Sequence, residues 1–158
     1  MHRNGLKTGG NSNWCGLQCI RFNLLGDKSV LRDGILNPAI NSLLSRVRHT
    51  NTLVLADRGF PYWPGIETID ISLVDDIPRV LDVLAAIRRN FTIGRAFMAE
   101  EFQSAASAQA ILDFNRGLEG ITVLFEPHDD FKLRVPLAIG IIRTADTTPY
   151  ANLILESA

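Results

Sequence analysis

The sequence predicts an α/β domain built on a mostly parallel sheet with helices on both faces. Two patterns carry that expectation: short, continuously apolar runs that read as buried strands, and helical runs that alternate with them. The third observation is size. A chain of 158 residues, 46% of them hydrophobic, can bury about two-thirds of its unfolded surface in one core, whereas two half-length domains would each be marginal.

Residues 1–33 mix Gly, Asn, Lys and isolated apolar residues without a sustained period. They are expected to form a poorly ordered arm, with one folded domain over residues 34–158. The pattern opens at Gly34-Ile35-Leu36. Asn37 suits an N-cap and Pro38 a first helical position, and Ile40, Leu43, Leu44 and Val47 follow at helical spacing. Thr52 to Ala56 is a β-type run that stops at the loop Asp57-Arg58-Gly59. The alternation then repeats: a strand from Ile66 to Ile71, a helix from Pro78 to Arg88, and a short strand from Ala96 to Ala99. An Ala-rich helix is predicted from Ser104 to Asn115, a strand from Ile121 to Phe125, and a short helix over residues 128–135. Apolar strands from Leu137 to Ile142 and from Leu153 to Leu155 finish the pattern.

Charge excludes some partners. The net charge is −1, with residues 1–50 at +5 and the remainder at −6. The basic residues of the first part are scattered, without a run or interleaved aromatics, so a nucleic-acid surface is not expected. Cys15 and Cys19 are too few for a disulfide framework and point to a reducing, intracellular home. With His2 they reach three soft ligands, one short of a closed zinc site, and no metal is expected. No apolar run has the length of a signal peptide or a membrane span.

Glycine-rich dinucleotide and phosphate loops, a nucleophile elbow and paired-cysteine motifs are all absent from the sequence. What remains is a set of polar residues near strand ends, where α/β sheets keep their ligands. Asp57 ends a buried strand, a place equally suited to a turn former. His49 follows a helix, whose C-terminus attracts such a residue for structural reasons. His128 lies near a helix start, where a neutral hydrogen-bonding or base role suits it. Tyr150 and Asn152 precede the last strand, where, taken alone, a turn and edge packing account for them better than a functional role. Together they supply two imidazoles, a carboxylate, a phenol and an amide. That inventory suits proton transfer on a hydroxyl-rich ligand better than redox or phosphate chemistry.

From Gly34 to about Leu155 the chain resembles the D-ribose pyranase and fucose mutarotase family. The segments that carry the likeness are Gly-Ile-Leu-Asn (34–37), His-Thr (49–50), Ala-Asp-x-Gly-x-Pro (56–61) and Ile-Asp-x-Ser-Leu (69–73). They continue with Ala-Glu-Glu (99–101), His-x-x-Phe-Lys (128–132), Ile-Arg-Thr (142–144) and Pro-Tyr-Ala-Asn-x-Ile-Leu (149–155). The last of these looks more like the ribose branch. The resemblance implies a three-layer α/β/α sandwich and catalysed opening and reclosing of a sugar hemiacetal, between pyranose and furanose rings, without a cofactor. It implies His49 as proton donor, with Asp57, His128 and the segment Tyr150-Ala151-Asn152 meeting the sugar; Lys132, beside His128 in its motif, joins them as a candidate contact. It further implies a cytoplasmic, ring-shaped homo-oligomer, commonly a decamer, with sites between subunits.

The chain departs from the family pattern at Arg48 and Asn51 around His49, and at Arg58 and Phe60 after Asp57. Phe60, Tyr62 and Trp63 supply aromatic surface near Asp57, suited to a core or to an interface between subunits. The family alternatives are a ribose-type and a fucose-type enzyme. From other classes come a non-catalytic sugar-binding or transport-accessory module and a structural ring protein that lacks the site. Residues 1–33 match nothing in the pattern, so their deletion is expected to leave ring exchange and assembly intact. Exchange spectroscopy and sedimentation of the truncated protein check this, and loss of assembly would make the arm structural.

Overall fold

The computed structural model describes residues 34–158, so the expectations for the arm and for His2, Cys15 and Cys19 lie outside the described residues. Helix α1 spans Pro38–Leu44, capped as its sequence predicts: the Asn37 side-chain oxygen accepts from the N–H groups of Ala39 and Ile40 at 2.9 and 3.1 Å. Strand β1 spans Thr52–Ala56 and β2 Thr68–Asp70. Helix α2, Val80–Arg88, buries Val80, Val83, Leu84 and Ile87, and β3 follows at Ile93–Ala99.

The single Ala-rich helix expected over residues 104–115 is two helices, α3 (Phe102–Ala105) and α4 (Ala108–Gly117). Ala106 is extended, and the Ser107 side chain accepts from the Ala110 N–H at 3.1 Å to start α4 afresh. A serine that can cap a new helix competes with continuing the old one. Strand β4 is Thr122–Glu126, and helix α5, His128–Arg134, runs into a tight turn of 3-10 helix at Val135–Leu137. That turn, which contains Pro136, takes the start of the strand expected from Leu137, leaving β5 as Ile141–Arg143. Strand β6 is Leu153–Ser157.

The strands form one sheet in the order β2-β5-β1-β6-β3-β4. β1 and β2 pair in parallel with β5, and β3 with β4. β6 sits between β1 and β3 and runs antiparallel to both. The sheet is therefore mostly parallel, with its one reversed strand in the interior.

Strand periodicity divides the core in two. Leu53, Leu55, Ala96, Met98, Ile142, Leu153 and Leu155 point to one face and pack with α1, α2, α3 and α4. Val54, Ala56, Phe97, Ile141 and Ile154 point to the other and meet Phe131 of α5, Val135 and Phe60. The result is the three-layer sandwich, with its second helical layer thin and completed by the loop after β1.

Among the described residues no helix is long and apolar enough to cross a membrane. One glycine is held by close packing. A Cβ at Gly140 would stand 2.6 and 2.8 Å from the two δ-methyls of Leu43, and 3.3 Å from the Glu67 carbonyl oxygen. Leu43 is fully buried, so the space must come from the core itself. Gly140→Ala is expected to destabilise the fold by about 1–3 kcal/mol. A lower urea midpoint with an unchanged slope is the signature to look for.

Candidate active site

The reversed strand decides which residues meet. In the β1–β6 ladder Leu55 lies opposite Leu153, so the next residues outward, at 56–57 and 151–152, continue side by side. The carboxyl end of β1 thus meets the amino end of β6. β3 and β4 end at the same edge, since Ala99 pairs with Glu126, and His128 follows two residues later.

Asp57 and Asn152 are joined by a reciprocal pair of hydrogen bonds. The Asp57 backbone N–H donates to Asn152 Oδ1 at 2.8 Å, and Asn152 Nδ2 donates to Asp57 Oδ2 at 2.8 Å. The other carboxylate oxygen accepts from the Gly59 N–H at 2.9 Å, closing a turn. Asp57 therefore forms the turn that its place at a strand end suggested. Burial pushes the Asp57 carboxyl above the ordinary carboxylate range; the Asn152 hydrogen bond opposes that shift, and the nearby Asp146 charge reinforces it.

His128 opens α5, and its backbone N–H is held by both carboxylate oxygens of Glu101 at 3.1 Å. Since α5 has no capping side chain of its own, Glu101 supplies one from the turn after β3. A hydrogen bond from its own backbone N–H, joined by the one from the His128 N–H, holds the Glu101 carboxyl below its usual value. The imidazole stands edge-on to Tyr150, ring centroids 5.0 Å apart, and its Nδ1 is buried with no hydrogen-bond partner among the described residues. Tyr150 itself has a left-handed backbone, φ 57°.

Asp57, Gly59, Phe60, Pro61, His128, Pro149, Tyr150 and Asn152 line one cleft of about 230 Å³. Pockets for drug-sized ligands run to roughly 300–1,000 Å³, so this one is on the scale of a single monosaccharide. Among the described residues no Lys or Arg lines it. Two other clefts are similar in volume, about 240 and 280 Å³. The first offers Arg88 as its only ionisable group. In the second, Asn37 and Asp82 are occupied as helix caps.

Four of the residues expected from sequence therefore converge: Asp57, His128, Tyr150 and Asn152. Ala151 is fully buried beside them and can offer a ligand only its backbone. Lys132 lies one turn along α5, with its ammonium 3.7 Å from Asp129 and outside the cleft lining. His49 is not in this cleft. It is exposed and precedes β1, at the edge where the Thr50 N–H meets Ser157 at the far end of β6. The five residues of β1 put about 16 Å of strand between the two edges.

The aromatic residues after Asp57 also part company. Phe60 is 5% exposed and Trp63 packs against the same core cluster, while Tyr62 is 73% exposed. Of the three, only Tyr62 is left for an interface. The Arg58 guanidinium turns away to pair with Asp75. Sequence reasoning missed the supporting residue Asp146, because no local motif marks a buried loop carboxylate, and Thr144 was visible only as part of Ile-Arg-Thr. Glu101 was visible only as part of Ala-Glu-Glu.

Asn152→Ala is expected to cost about 1–3 kcal/mol, because it leaves the Asp57 N–H without its acceptor. It should also raise the Asp57 carboxyl further, by removing a hydrogen bond to the ionised form. Denaturation and carboxyl carbon NMR check the two effects. The sign follows from linkage: a raised carboxyl favours folding most below its unfolded pKa, and that contribution is lost as pH rises through the folded value. The variant should therefore lose stability more at neutral than at acid pH.

Residues 30–158 match the RbsD / FucU transport protein family. A D-ribose pyranase of Geobacillus kaustophilus is 38% identical over 126 residues, 80% of this chain and 92% of that protein. One from Chromobacterium violaceum is 36% identical over 80% of this chain and 96% of its own length. Among solved structures, Bacillus subtilis RbsD complexed with D-ribose superposes with a TM-score of 0.75 at 29% identity, covering 81% of this chain and 97% of that one. The fucose mutarotase of Streptococcus pneumoniae, in complex with L-fucose, gives 0.65 at 20% identity over 77% and 92%. The latter is a likeness of fold. By sequence along nearly the whole described domain, and by fold, this chain belongs to the RbsD/FucU family.

Proposed function

We propose that the protein is an isomerase that interconverts the pyranose and furanose forms of a free monosaccharide, D-ribose or a close relative. The observation that carries this is the meeting of the Asp57 carboxyl and the His128 imidazole in one cleft of monosaccharide size. Two proton-transfer groups suit hemiacetal opening. The D-ribose pyranase relatives and the ribose-bound RbsD structure support the ribose branch.

In the reaction, one group protonates the ring oxygen while another takes the proton of the anomeric hydroxyl, and the C–O ring bond breaks to leave an open aldehyde. Attack by a different hydroxyl on that carbonyl, with both proton transfers reversed, closes the other ring. A carboxyl raised toward the working pH is a better proton acceptor than an ordinary one, which suits Asp57 to the anomeric proton. Asn152 and Tyr150 would hold the sugar hydroxyls, with Ala151 offering its backbone.

The donor assigned by family resemblance, His49, lies at the opposite sheet edge of the same chain. We therefore propose a ring-shaped homo-oligomer, a decamer as the family implies, in which His49 of a neighbouring subunit completes each cleft. This fits a cytoplasmic enzyme of sugar metabolism. A lone chain would hold the cleft without that donor, which gives the rival, a binding or transport-accessory module, its specific support.

Magnetisation-exchange NMR on a panel of aldoses tests the reading. His49→Ala should slow ring exchange by roughly 10²-fold or more with the fold intact. Co-refolding the inactive His49→Ala and Tyr150→Ala proteins should restore part of the activity through mixed clefts. Saturable sugar binding with no acceleration of exchange would favour the binding module, and a fully active monomer in sedimentation would sink the shared site.

A further inference from the structure

Asp146 joins the two halves of the cleft without lining it. It is 1% exposed, and a carboxylate that deeply buried is normally paired with a cation or saturated by hydrogen bonds. Here both oxygens are taken by backbone. Oδ2 accepts from the Val80 N–H at 3.0 Å, where α2 begins, and Oδ1 accepts from the Thr148 N–H at 2.9 Å, in the loop that leads to Pro149 and Tyr150. Its own carbonyl accepts from the Arg58 N–H at 3.1 Å, one residue past Asp57. Its N–H donates to Thr144 Oγ1 at 3.2 Å, and that hydroxyl donates to the Ala56 carbonyl at 2.8 Å. The loop after β1 and the loop leading to Tyr150 thus both hydrogen-bond to this one residue.

A neutral cap would hold some of those amides equally well; it would not set a negative charge beside Asp57. No ion pair reaches Asp146 among the described residues: Arg58 pairs with Asp75 and Arg79 with Asp76. The ionisable groups around Asp57 are Asp146 from the β5–β6 loop, Tyr150 from the start of β6, His128 from α5, and Arg58 from its own loop. Those around Asp146 are Asp57 and Arg58 after β1, and Asp76 and Arg79 ahead of α2.

We propose that Asp146 is a positioning residue for ring opening, clamping the Tyr150 loop to the end of β1 and setting the charge beside which Asp57 takes and returns a proton. The inference rests on Asp57 acting as that proton acceptor. Burial is the first cause of the raised Asp57 carboxyl, and the Asp146 charge acts in the same direction. Removing that charge should therefore lower the Asp57 titration. The acid limb of the exchange rate, where Asp57 becomes protonated, moves to lower pH with it.

The test compares Asp146→Asn and Asp146→Ser, both neutral and both able to accept from at least one amide, with Asp146→Glu, which keeps the charge. Asp76→Asn is the control for removing a carboxylate charge elsewhere on the same loop, since Asp76 accepts from the Thr147 N–H at 3.0 Å and hydroxyl at 2.8 Å and an Asn oxygen can still accept there. Carboxyl carbon NMR of Asp57 and the pH profile of ribose exchange are read on the full chain. A folded neutral variant should lower both midpoints, while D146E and D76N leave them near wild type. An unmoved Asp57 midpoint in either folded neutral variant overturns the proposal, as does an equal shift in D76N. Wild-type protein that exchanges no aldose would instead overturn the ring-opening reading, and the Asp57 midpoint would still judge the charge coupling.

Discussion

β6 runs against the other five strands of the sheet while lying between two of them, and the rest of the site depends on that reversal. A parallel strand in its place would have delivered its carboxyl end to the crevice and carried Tyr150 and Asn152 to the far edge. Reversed, it brings its first residues alongside the end of β1, so that Asn152 can exchange hydrogen bonds with Asp57. The register is well specified. A slip of one residue would turn Leu153 and Leu155 onto the face that Ile154 occupies, exchanging two well-packed cores for mismatched ones. The hydrophobic pattern of five residues therefore also fixes the position of an amide in the cleft.

Unequal coverage of the two sheet faces explains why the loop after β1 has two duties. Four helices cover one face, whereas α5 and its following turn cover only part of the other. Phe60 fills the remaining space as a core residue, and its loop neighbours Gly59 and Pro61 form a wall of the cleft. Arg143 fastens this loop from below, donating from Nη2 to the Phe60 carbonyl at 2.9 Å. Packing and ligand geometry are thus coupled through one short segment, and substitutions after Asp57 act on both.

Most of the fold was legible because the interior strands β1, β5 and β6 are short, buried apolar runs and each main helix has a cap residue or an apolar stripe. What escaped were competitions decided locally or at long range. Ser107 stood inside an apparently continuous helix, and Pro136 drew Leu137 into a turn rather than a strand. The direction of β6 left no trace in its composition, since parallel and antiparallel interior strands are equally apolar. His49 shows the same limit for the site: its eight-residue separation from Asp57 looks close on paper, but most of it is extended strand. Asp57, His128, Tyr150 and Asn152 were recognisable as polar residues flanking buried elements. Their convergence required the sheet order.

Both halves of the proposed chemistry also sit next to backbone that L-residues seldom adopt. Thr50, beside His49, has φ 65°, and Tyr150 has φ 57°. For a β-branched residue such as Thr50 this conformation is an outlier, held at a cost of about 1–3 kcal/mol by the structure around it. Glycine would relax both positions. It would also free the chain at the two points where an imidazole and a phenol need fixed bearings, so a search for heat-resistant variants would be drawn to the substitutions that blur the site.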